Sequence, residues 1–277
     1  MRSYVINLDG DRDRWQKVKA ALESVGLYPE RVPGILYDGK NHTPETDMLR
    51  AARPSWHPPL PRSVCGCFAS HLRAVGTFLK HSQDKYCIIF EDDVAPIAKN
   101  PEEFSRELQW TLDNAPGDWK GISLHSDFVL PGGCPEGLWV GKTCTSNAAY
   151  ILNREGAQQL LREPWKVCDW YKQITWDKFY VRPKNMFITD ETSSLNATWK
   201  SKSTVHVLLD NIRGKQWCIR GEKPMSYALS YPVTAFGGHN VRTSRVIQIG
   251  LLIGICLSKG FTRWVLVVVL LLFIPVW

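Results

Sequence analysis

The chain has 277 residues, of which 44% are hydrophobic and 22% charged, and its formal net charge is +7. This length and composition are typical of a folded protein of one or two domains and exclude a disordered chain. The positive charge favours an anionic partner, such as a nucleotide, a phosphorylated lipid or an acidic membrane surface. It does not indicate nucleic-acid binding, because the sequence has no long basic run and no zinc-finger or RNA-binding motif.

The cysteines and the N-terminus further narrow the classes of protein that the sequence fits. Eight cysteines in a chain of this length do not make a disulfide scaffold. Cys65 and Cys67 flank one glycine, and no Cys/His pair follows at zinc-finger distance, so a zinc site is not expected. The opening "MRSYVINLDG" has no long apolar segment before a small-residue cleavage site, so no cleaved secretory signal is expected.

The first third of the chain alternates predicted strands and helices. Residues 3–8 read as a buried strand, and residues 11–26 as a helix with one apolar face. Residues 31–62 are rich in proline, glycine and histidine and predict a long surface connection, which we expect to line a site. Residues 65–82 predict an amphipathic helix, and residues 86–94 a buried strand that ends in acids. The alternation predicts an α/β fold with a mostly parallel sheet.

The pattern continues and then loosens. Helices are predicted in "PEEFSRELQWTLDNAP" and, with Asn153 as its cap, in "NREGAQQLLREP"; strands are predicted in "WKGISLHS" and "GLWVGKTCTSNAAYILN". Residues 165–245 contain many aromatic residues and little periodicity, which suits a region beside a substrate. We therefore predict one folded domain over residues 1–245 and a hydrophobic tail over residues 246–277.

The tail is strongly apolar, and Lys259 and Arg263 are its charged residues. The apolar pieces on either side of them have about 13 and 14 residues, or roughly 20 Å each as helices, which is short of a ~30 Å hydrocarbon core. One interpretation is a shallow helical hairpin or interfacial anchor. A single tilted span from about Gly260 and a buried helix pair are the alternatives. Because "WVLVVVLLLFI" has no polar face, we expect the tail to associate with a membrane.

The stretch "YCIIFEDDV" places three carboxylates, Glu91, Asp92 and Asp93, at the end of a buried strand. Neighbouring carboxylates repel one another unless a cation, basic side chains or water offset their charge. A solvated turn or a helix cap would also explain them. In open α/β sheets, however, ligands bind beyond the carboxyl ends of the strands, where "INLDGDRDR" also places its polar residues. This convergence favours a functional site.

Five pieces of the sequence, taken in order, resemble one family: "YVINLDGDRDRW" (4–15), "GCFASHLRAV" (66–75), "YCIIFEDDV" (86–94), "SNAAYILNREGAQQLL" (146–161) and "VCDWY" (167–171). The family is glycosyltransferase family 25, which includes lipooligosaccharide and collagen galactosyltransferases. The resemblance implies a GT-A type, Rossmann-like fold, a UDP-sugar donor, a divalent cation such as Mn²⁺, and transfer with inversion. The family's first motif usually has a basic residue where this chain has Gly10.

The resemblance also implies roles for the acids. Asp93 is the preferred direct metal ligand, Asp92 a second ligand or a ribose contact, and Glu91 a supporting group. Adjacent residues on a strand point to opposite faces, so we expect two of the three to reach one ion. A hard divalent cation prefers such oxygens and would offset charge on the departing diphosphate.

Other matched residues are candidates for holding the donor: Asn7, Asp9, Arg12, Arg14, Ser70 and His71. The first four lie where the first strand meets its helix, a place where they could grip the base, ribose or diphosphate of the donor; solvated first-turn arginines are the alternative for Arg12 and Arg14. Ser70 and His71 are expected to position the donor near its phosphates, and a capping serine and a buried histidine are the alternative.

Asp169, in "VCDWY", matches the family's aspartate. We expect it to take the proton from the acceptor hydroxyl or to contact the acceptor, with a structural hydrogen bond as the alternative. A further metal ligand could come from His206 or His239. Three tryptophans are candidates for stacking on sugar faces: Trp165, Trp170 and Trp176.

The leading hypothesis is therefore a metal-dependent, inverting glycosyltransferase. It would move a hexose, preferably galactose, from a UDP-sugar to a glycan, glycolipid or glycoprotein acceptor, with its catalytic domain in the cytoplasm and its tail at the membrane. The alternative is an inactive, membrane-anchored nucleotide-sugar or carbohydrate-binding protein. A metal-dependent phosphohydrolase is a third possibility, but the sequence lacks the extra His and Asp pairs of two-metal sites.

Overall fold

The computed structural model describes residues 1–55, 59–126, 128–129, 139–140, 146–167, 178–189, 220–221, 232–236 and 239–257, and positions 260, 262, 265–267 and 270. The helices are α1 (Arg12–Glu23), α2 (Pro44–Ala51), α3 (Arg62–His81), α4 (Pro101–Asp113), α5 (Arg154–Arg162) and α6 (Thr243–Leu257), with a 3-10 turn at Pro164–Val167. The strands are β1 (Arg2–Asn7), β2 (Glu30–Pro33), β3 (Tyr86–Glu91), β4 (Val94–Pro96), β5 (Gly121–Ser123), β6 (Phe128–Val129), β7 (Trp139–Val140), β8 (Ala149–Asn153), β9 (Phe179–Val181), β10 (Phe187–Thr189), β11 (Arg220–Gly221), β12 (Pro232–Phe236) and β13 (His239–Arg242).

Seven of the described strands form the central sheet, in the order β2-β1-β3-β8-β5-β9-β7. Strands β2, β1, β3, β5 and β9 run in one direction, and β8 and β7 run in the other. The predicted α/β architecture with a mostly parallel sheet is confirmed at this level. The sequence did not indicate that β8 lies antiparallel between β3 and β5, because an apolar run such as "AYILN" carries no signal of strand direction.

The central strands are buried on both faces of the sheet, as continuous apolar runs predict. Successive side chains alternate between two hydrophobic clusters. Tyr4 and Ile89 pack in the cluster that contains the apolar face of α3. Val5 and Ile88 pack in the cluster that contains Val18 of α1 and its neighbours. Helices therefore pack on both faces of the sheet, and this packing holds the ends of the strands and the loops that follow them.

The predicted helix ends are largely confirmed. The Asn153 side chain caps α5 by accepting a hydrogen bond from the backbone N–H of Gly156 at 2.7 Å. Asn100 caps α4 in the same way, accepting from the backbone N–H of Glu103 at 2.8 Å. Gly26, with φ +78°, follows α1 in the left-handed conformation that glycine adopts without strain.

The prediction that residues 31–62 form one long surface connection is wrong, because part of this segment is regular structure. This segment contains most of β2 and all of α2, and α3 begins at Arg62. Helix α2 begins with a reciprocal pair of hydrogen bonds between Thr43 and Thr46, a capping box with threonine in the place of the usual Glu or Gln. The proline and glycine content of the segment hid these short elements.

Helix α6 begins before the predicted boundary at residue 246 and carries exposed apolar side chains, among them Ile249, Leu252 and Leu257. Of the helices in the described residues, none is both long enough and apolar enough to span a bilayer. The division into residues 1–245 and 246–277 stays a prediction.

Candidate functional site

A crevice opens where β1, β2 and β3 end. The chain leaves β1 through α1 to reach β2 on one side, and it later returns to place β3 on the other side of β1. Such a switch point at the carboxyl ends of parallel strands is where α/β sheets bind ligands. The lining residues fall within residues 6–14, 34–37, 63–71 and 91–93. The empty space, counted out to the solvent at the mouth, is about 740 Å³.

Asn7 organises one wall of this crevice. It is the last residue of β1 and is almost completely buried. Its side-chain N–H₂ donates to Asp92 Oδ2 at 2.7 Å and to the carbonyl of Asp11 at 2.9 Å. Its Oδ1 accepts from Arg31 Nε at 2.9 Å. Two of these three hydrogen bonds thus hold charged side chains, those of Asp92 and Arg31.

Arg14 lies between two of the acids. Its Nη2 is 2.6 Å from Asp92 Oδ1 and 3.6 Å from Asp93 Oδ2. Both oxygens of Asp92 are therefore engaged, one by Asn7 and one by Arg14. Burial raises the pKa of the Asp92 carboxyl above its usual value, while the Asn7 hydrogen bond and the Arg14 charge act in the opposite direction. The structure thus offsets repulsion between adjacent acids with an arginine.

Glu91 points away from this pair, toward α3. Its Oε1 lies 3.1 Å from His71 Nε2 and 3.9 Å from Cys67 Sγ. His71 is fully buried, and its Nδ1 lies 2.9 Å from the hydroxyl of Tyr150 in β8. The acids are thus divided between two groups of neighbours: Glu91 is the last residue of β3, whereas Asp92 and Asp93 lie in the turn that follows it.

Ser70 joins α3 to residues 34–37, which we call the 34–37 loop. Its buried hydroxyl donates to the Gly66 carbonyl at 2.7 Å and accepts from the backbone N–H of Ile35 at 2.7 Å. A Cβ at Gly66 would lie 2.4 Å from the Ile35 carbonyl oxygen, so helix and loop touch through their backbones. Ser70 therefore lines the crevice and also holds the 34–37 loop, which lines it as well.

The remaining predicted residues lie in different places. Asp9 is exposed and accepts from Arg31 Nη2 at 2.7 Å. Arg12 is exposed at the start of α1 and does not line the crevice. Trp165 is buried, and its indole N–H donates to the Leu49 carbonyl at 2.8 Å, so it packs as a core residue rather than as a platform for a sugar. Four other candidates lie outside the described residues: Asp169, Trp170, Trp176 and His206. For His239 the backbone is described and the side chain is not.

Sequence reasoning missed Arg31. Its guanidinium donates to the Asn7 side chain, to the Asn7 carbonyl at 3.2 Å and to Asp9. The register of β2 pairs Arg31 with Val5, two residues before the end of β1. Recognising the four-residue strand β2 would have placed this arginine beside the site. Tyr150 was missed because its position opposite Ile89 depends on the direction of β8.

The donor chemistry of Asp92 and Asp93 suits a divalent cation, but the three acids do not form one set of ligands. Asp92 and Asp93 present carboxylate oxygens, which suit a hard ion, and both now lie near the cationic Arg14. In the described part of the chain, the three acids do not gather within 4.8 Å as one ligand set, whereas Cys67, His71 and Glu91 do. An ion such as Mn²⁺ would thus be held by Asp93 and Asp92. The roles assigned to the site residues stay predictions.

Several solved structures share a likeness with the chain. A glycosyltransferase involved in glycosylation of the major capsid of PBCV-1 is 9% identical, with 70% of this chain and 95% of that chain covered and a TM-score of 0.38. Mouse xyloside xylosyltransferase 1 is 12% identical, with coverages of 65% and 84% and a TM-score of 0.37. A Drosophila β-1,4-galactosyltransferase 7 mutant, in complex with manganese, UDP-Gal and xylobiose, is 9% identical, with coverages of 57% and 51% and a TM-score of 0.28. Structural similarity at this level assigns neither a donor nor an acceptor to this chain.

The sequence itself gives the more specific match. No curated protein is significantly similar. Residues 1–114 match the profile of glycosyltransferase family 25, described as an LPS biosynthesis protein. This segment contains every residue that lines the crevice, and the match supports a glycosyltransferase. The match covers residues 1–114 of the 277, and over this segment the chain is similar to glycosyltransferase family 25.

Proposed function

We propose that the protein transfers a hexose, with galactose the first candidate, from a UDP-sugar to a glycan or lipid-linked acceptor, with inversion at the anomeric carbon. The observation that carries the proposal is the crevice at the β1 switch point, where Asn7 and Arg14 hold Asp92, and Arg14 also lies near Asp93. Arg31 lies behind this group and holds Asn7. Paired arginines and carboxylates at the ends of parallel strands suit a nucleoside diphosphate better than a neutral sugar alone.

Each wall of the crevice would have its own part in binding the donor. Arg14 can donate to phosphate oxygens, and the rigid hydrogen bonds of Asn7 keep Asp92 in place. Tyr37 of the 34–37 loop lines the crevice with an aromatic ring that suits a uracil base. A divalent ion held by Asp93 and Asp92 would neutralise charge on the departing diphosphate.

Transfer needs a base on the acceptor side, and we assign that role to Asp169. Its carboxylate would take the proton of the acceptor hydroxyl as that oxygen attacks the anomeric carbon. The new C–O bond forms on one face while the bond to the UDP oxygen breaks on the other, which inverts the configuration. UDP leaves with the electron pair of the broken bond.

The direct test is UDP release from UDP-galactose with Mn²⁺ and a glycolipid extract as acceptor, followed by a scan of other UDP-sugars. We expect Asp93→Asn to lower turnover by about 100-fold or more, since charge on the leaving group is then less well stabilised. Asp13→Asn is the matched control, because Asp13 is exposed in the first turn of α1. Equal turnover in the wild type and Asp93→Asn would refute the assignment of Asp93.

The rival function, binding without transfer, makes a different prediction. Such a protein would bind UDP-galactose in calorimetry and release no UDP with any acceptor. In an enzyme, Asp169→Asn should lower turnover and leave UDP affinity unchanged, and an unchanged turnover would contradict the role of Asp169. If the protein releases UDP from none of the sugar nucleotides tested, the transferase hypothesis is excluded.

We also propose that the protein works at a membrane surface, with its catalytic domain in the cytoplasm. Support comes from the apolar tail sequence and from the exposed apolar side chains of α6. Such side chains would lie at the headgroup boundary, next to a lipid-linked acceptor. Flotation of the full chain with anionic vesicles tests this, and recovery of all the protein in the vesicle-free fraction would contradict it.

A further inference from the structure

We propose that Cys67, His71 and Glu91 form a second cation site, for a borderline ion of the Zn²⁺ type, separate from the Asp92 and Asp93 pair. The three side chains come from two different elements of the fold. Cys67 and His71 lie on α3, and Glu91 ends β3. The proposal goes beyond sugar transfer, and its test does not depend on turnover.

The helix supplies two ligands in a fixed geometry. Cys67 and His71 are four residues apart, so their side chains lie on one face of α3, one turn from each other. Glu91 approaches that face from the sheet, across a separation of 20 to 24 residues in sequence. The sequence prediction of no zinc site considered Cys65 and Cys67 as a pair. Tertiary structure instead pairs Cys67 with a histidine one turn away and with a distant carboxylate.

The distances already resemble those of a coordination sphere. The ligand atoms of all three residues lie within 4.8 Å of one another. Tetrahedral zinc, with bonds of about 2.3 Å to sulfur and 2.0–2.1 Å to nitrogen and oxygen, separates its ligand atoms by roughly 3.3–3.6 Å. Here Glu91 Oε1 lies 3.1 Å from His71 Nε2 and 3.9 Å from Cys67 Sγ. Shifts of a few tenths of an ångström would bring these two separations to the tetrahedral values.

His71 is oriented as a metal ligand would be. Its Nδ1 lies 2.9 Å from the Tyr150 hydroxyl, which leaves Nε2 directed toward Glu91. In metal sites, the second ring nitrogen of a ligating histidine is usually held by such an outer partner, which fixes the tautomer and the ring. The ring is fully buried, so its rotation is restricted by packing as well. Tyr150 is a positioning residue in this proposal.

The ligand types select the ion. Thiolate and imidazole favour Zn²⁺ or Co²⁺, whereas Mn²⁺ and Mg²⁺ prefer sites made of oxygen alone. The site therefore discriminates against the hard ion that Asp92 and Asp93 suit. Cys67, His71 and Glu91 all line the crevice, so the fourth position of a tetrahedral ion would face it. That position could accept water or an anionic oxygen of a bound ligand.

The experiment uses Co²⁺ as the probe, because a thiolate ligand gives cobalt a charge-transfer absorption band and a tetrahedral site gives it intense visible bands. The full chain is freed of metal with a chelator and titrated with Co²⁺. We expect one equivalent to bind with both signatures, Zn²⁺ to remove them, and excess Mn²⁺ to leave them. Cys67→Ser should abolish the charge-transfer band and weaken binding of Zn²⁺ at least tenfold.

Two matched variants make the result specific. Cys65→Ser removes a buried thiol two residues away on the same helix and should keep the band. Asp93→Asn should also keep it, even where transferase activity is lost, so the fate of this proposal is distinguishable from that of the proposed function. A wild-type protein without the charge-transfer band, or a band that persists in folded Cys67→Ser, would overturn the proposal.

Discussion

Replacing Gly66 with alanine should show how tightly α3 holds the 34–37 loop. A Cβ at this position would lie 2.4 Å from the Ile35 carbonyl oxygen, whereas ordinary contacts lie at 3.4–4 Å. The clash is with backbone, which cannot move out of the way as a flexible side chain would. Gly76 in the same helix is the matched control, because a Cβ there meets nothing within 4 Å.

The magnitude follows from three contributions. Both substitutions gain helix propensity, which stabilises by about 0.5–1 kcal/mol. Only Gly66→Ala pays for overpacking, at roughly 1–3 kcal/mol. If the loop moves away, the bond between Ser70 and Ile35 is also lost, which costs about 0.5–1.5 kcal/mol. Gly66→Ala should therefore be less stable than Gly76→Ala by about 2–4 kcal/mol.

The assay is thermal unfolding followed by circular dichroism, with urea unfolding as a second measure of stability. At about 2–4 °C per kcal/mol, the two midpoints should differ by roughly 5–15 °C, with Gly76→Ala the more stable. Gly66→Ala should also bind UDP more weakly, because the loop it displaces lines the crevice. If both variants melt at the same temperature, the inferred contact between α3 and the loop is wrong.

Three further predictions concern cysteine chemistry, nucleotide binding and helix capping. Burial raises the pKa of Cys65 from 9.0 to about 11, so the stability contributed by its neutral thiol is present below pH 9 and is lost between pH 9 and 11. At pH 8, therefore, only about 0.1% of this thiol is ionised. Site-resolved mass spectrometry should find Cys65 alkylated far more slowly than the exposed Cys256. Equal rates of alkylation would disprove the burial of Cys65. Arg14→Ala should weaken UDP binding about tenfold in calorimetry, whereas Arg12→Ala should change it less than twofold; equal effects would count against the crevice. Asn153→Ala removes the cap of α5 and should lower the free energy of unfolding by about 1–2 kcal/mol in urea, and an unchanged midpoint would contradict the capping role.

The sequence predicted those elements whose signals are local. Strands β1 and β3 are continuous apolar runs, and helices α1, α4 and α5 show a periodic apolar face or a capping residue, so their positions could be found without tertiary information. Strand β2 and helix α2 are four and eight residues long and stand among prolines and glycines, so periodicity could not reveal them. The direction of β8 depends on pairing with β3, which no local pattern encodes.

The same distinction applies to the site. Asn7, Asp92 and Asp93 could be placed together because each lies near the carboxyl end of a predicted parallel strand, and such strands end at one edge. Arg31 could not, because its place depends on the register of a strand that was not predicted. The meeting of Cys67 with Glu91 depends on how α3 lies across the sheet. Residues supplied by strand ends are thus predictable here, and residues supplied by packing between elements are not.

The position of Arg14 has a thermodynamic consequence. In the absence of any ligand, this guanidinium acts as an internal counter-ion for Asp92 and Asp93. An incoming metal would compete with it, so metal affinity alone would be modest, yet displacement would free a positive group for phosphate oxygens. Metal and nucleotide would then each strengthen the binding of the other by the same factor, as linkage requires. For the proposed function, an arginine in this place would turn two weak associations into one cooperative event.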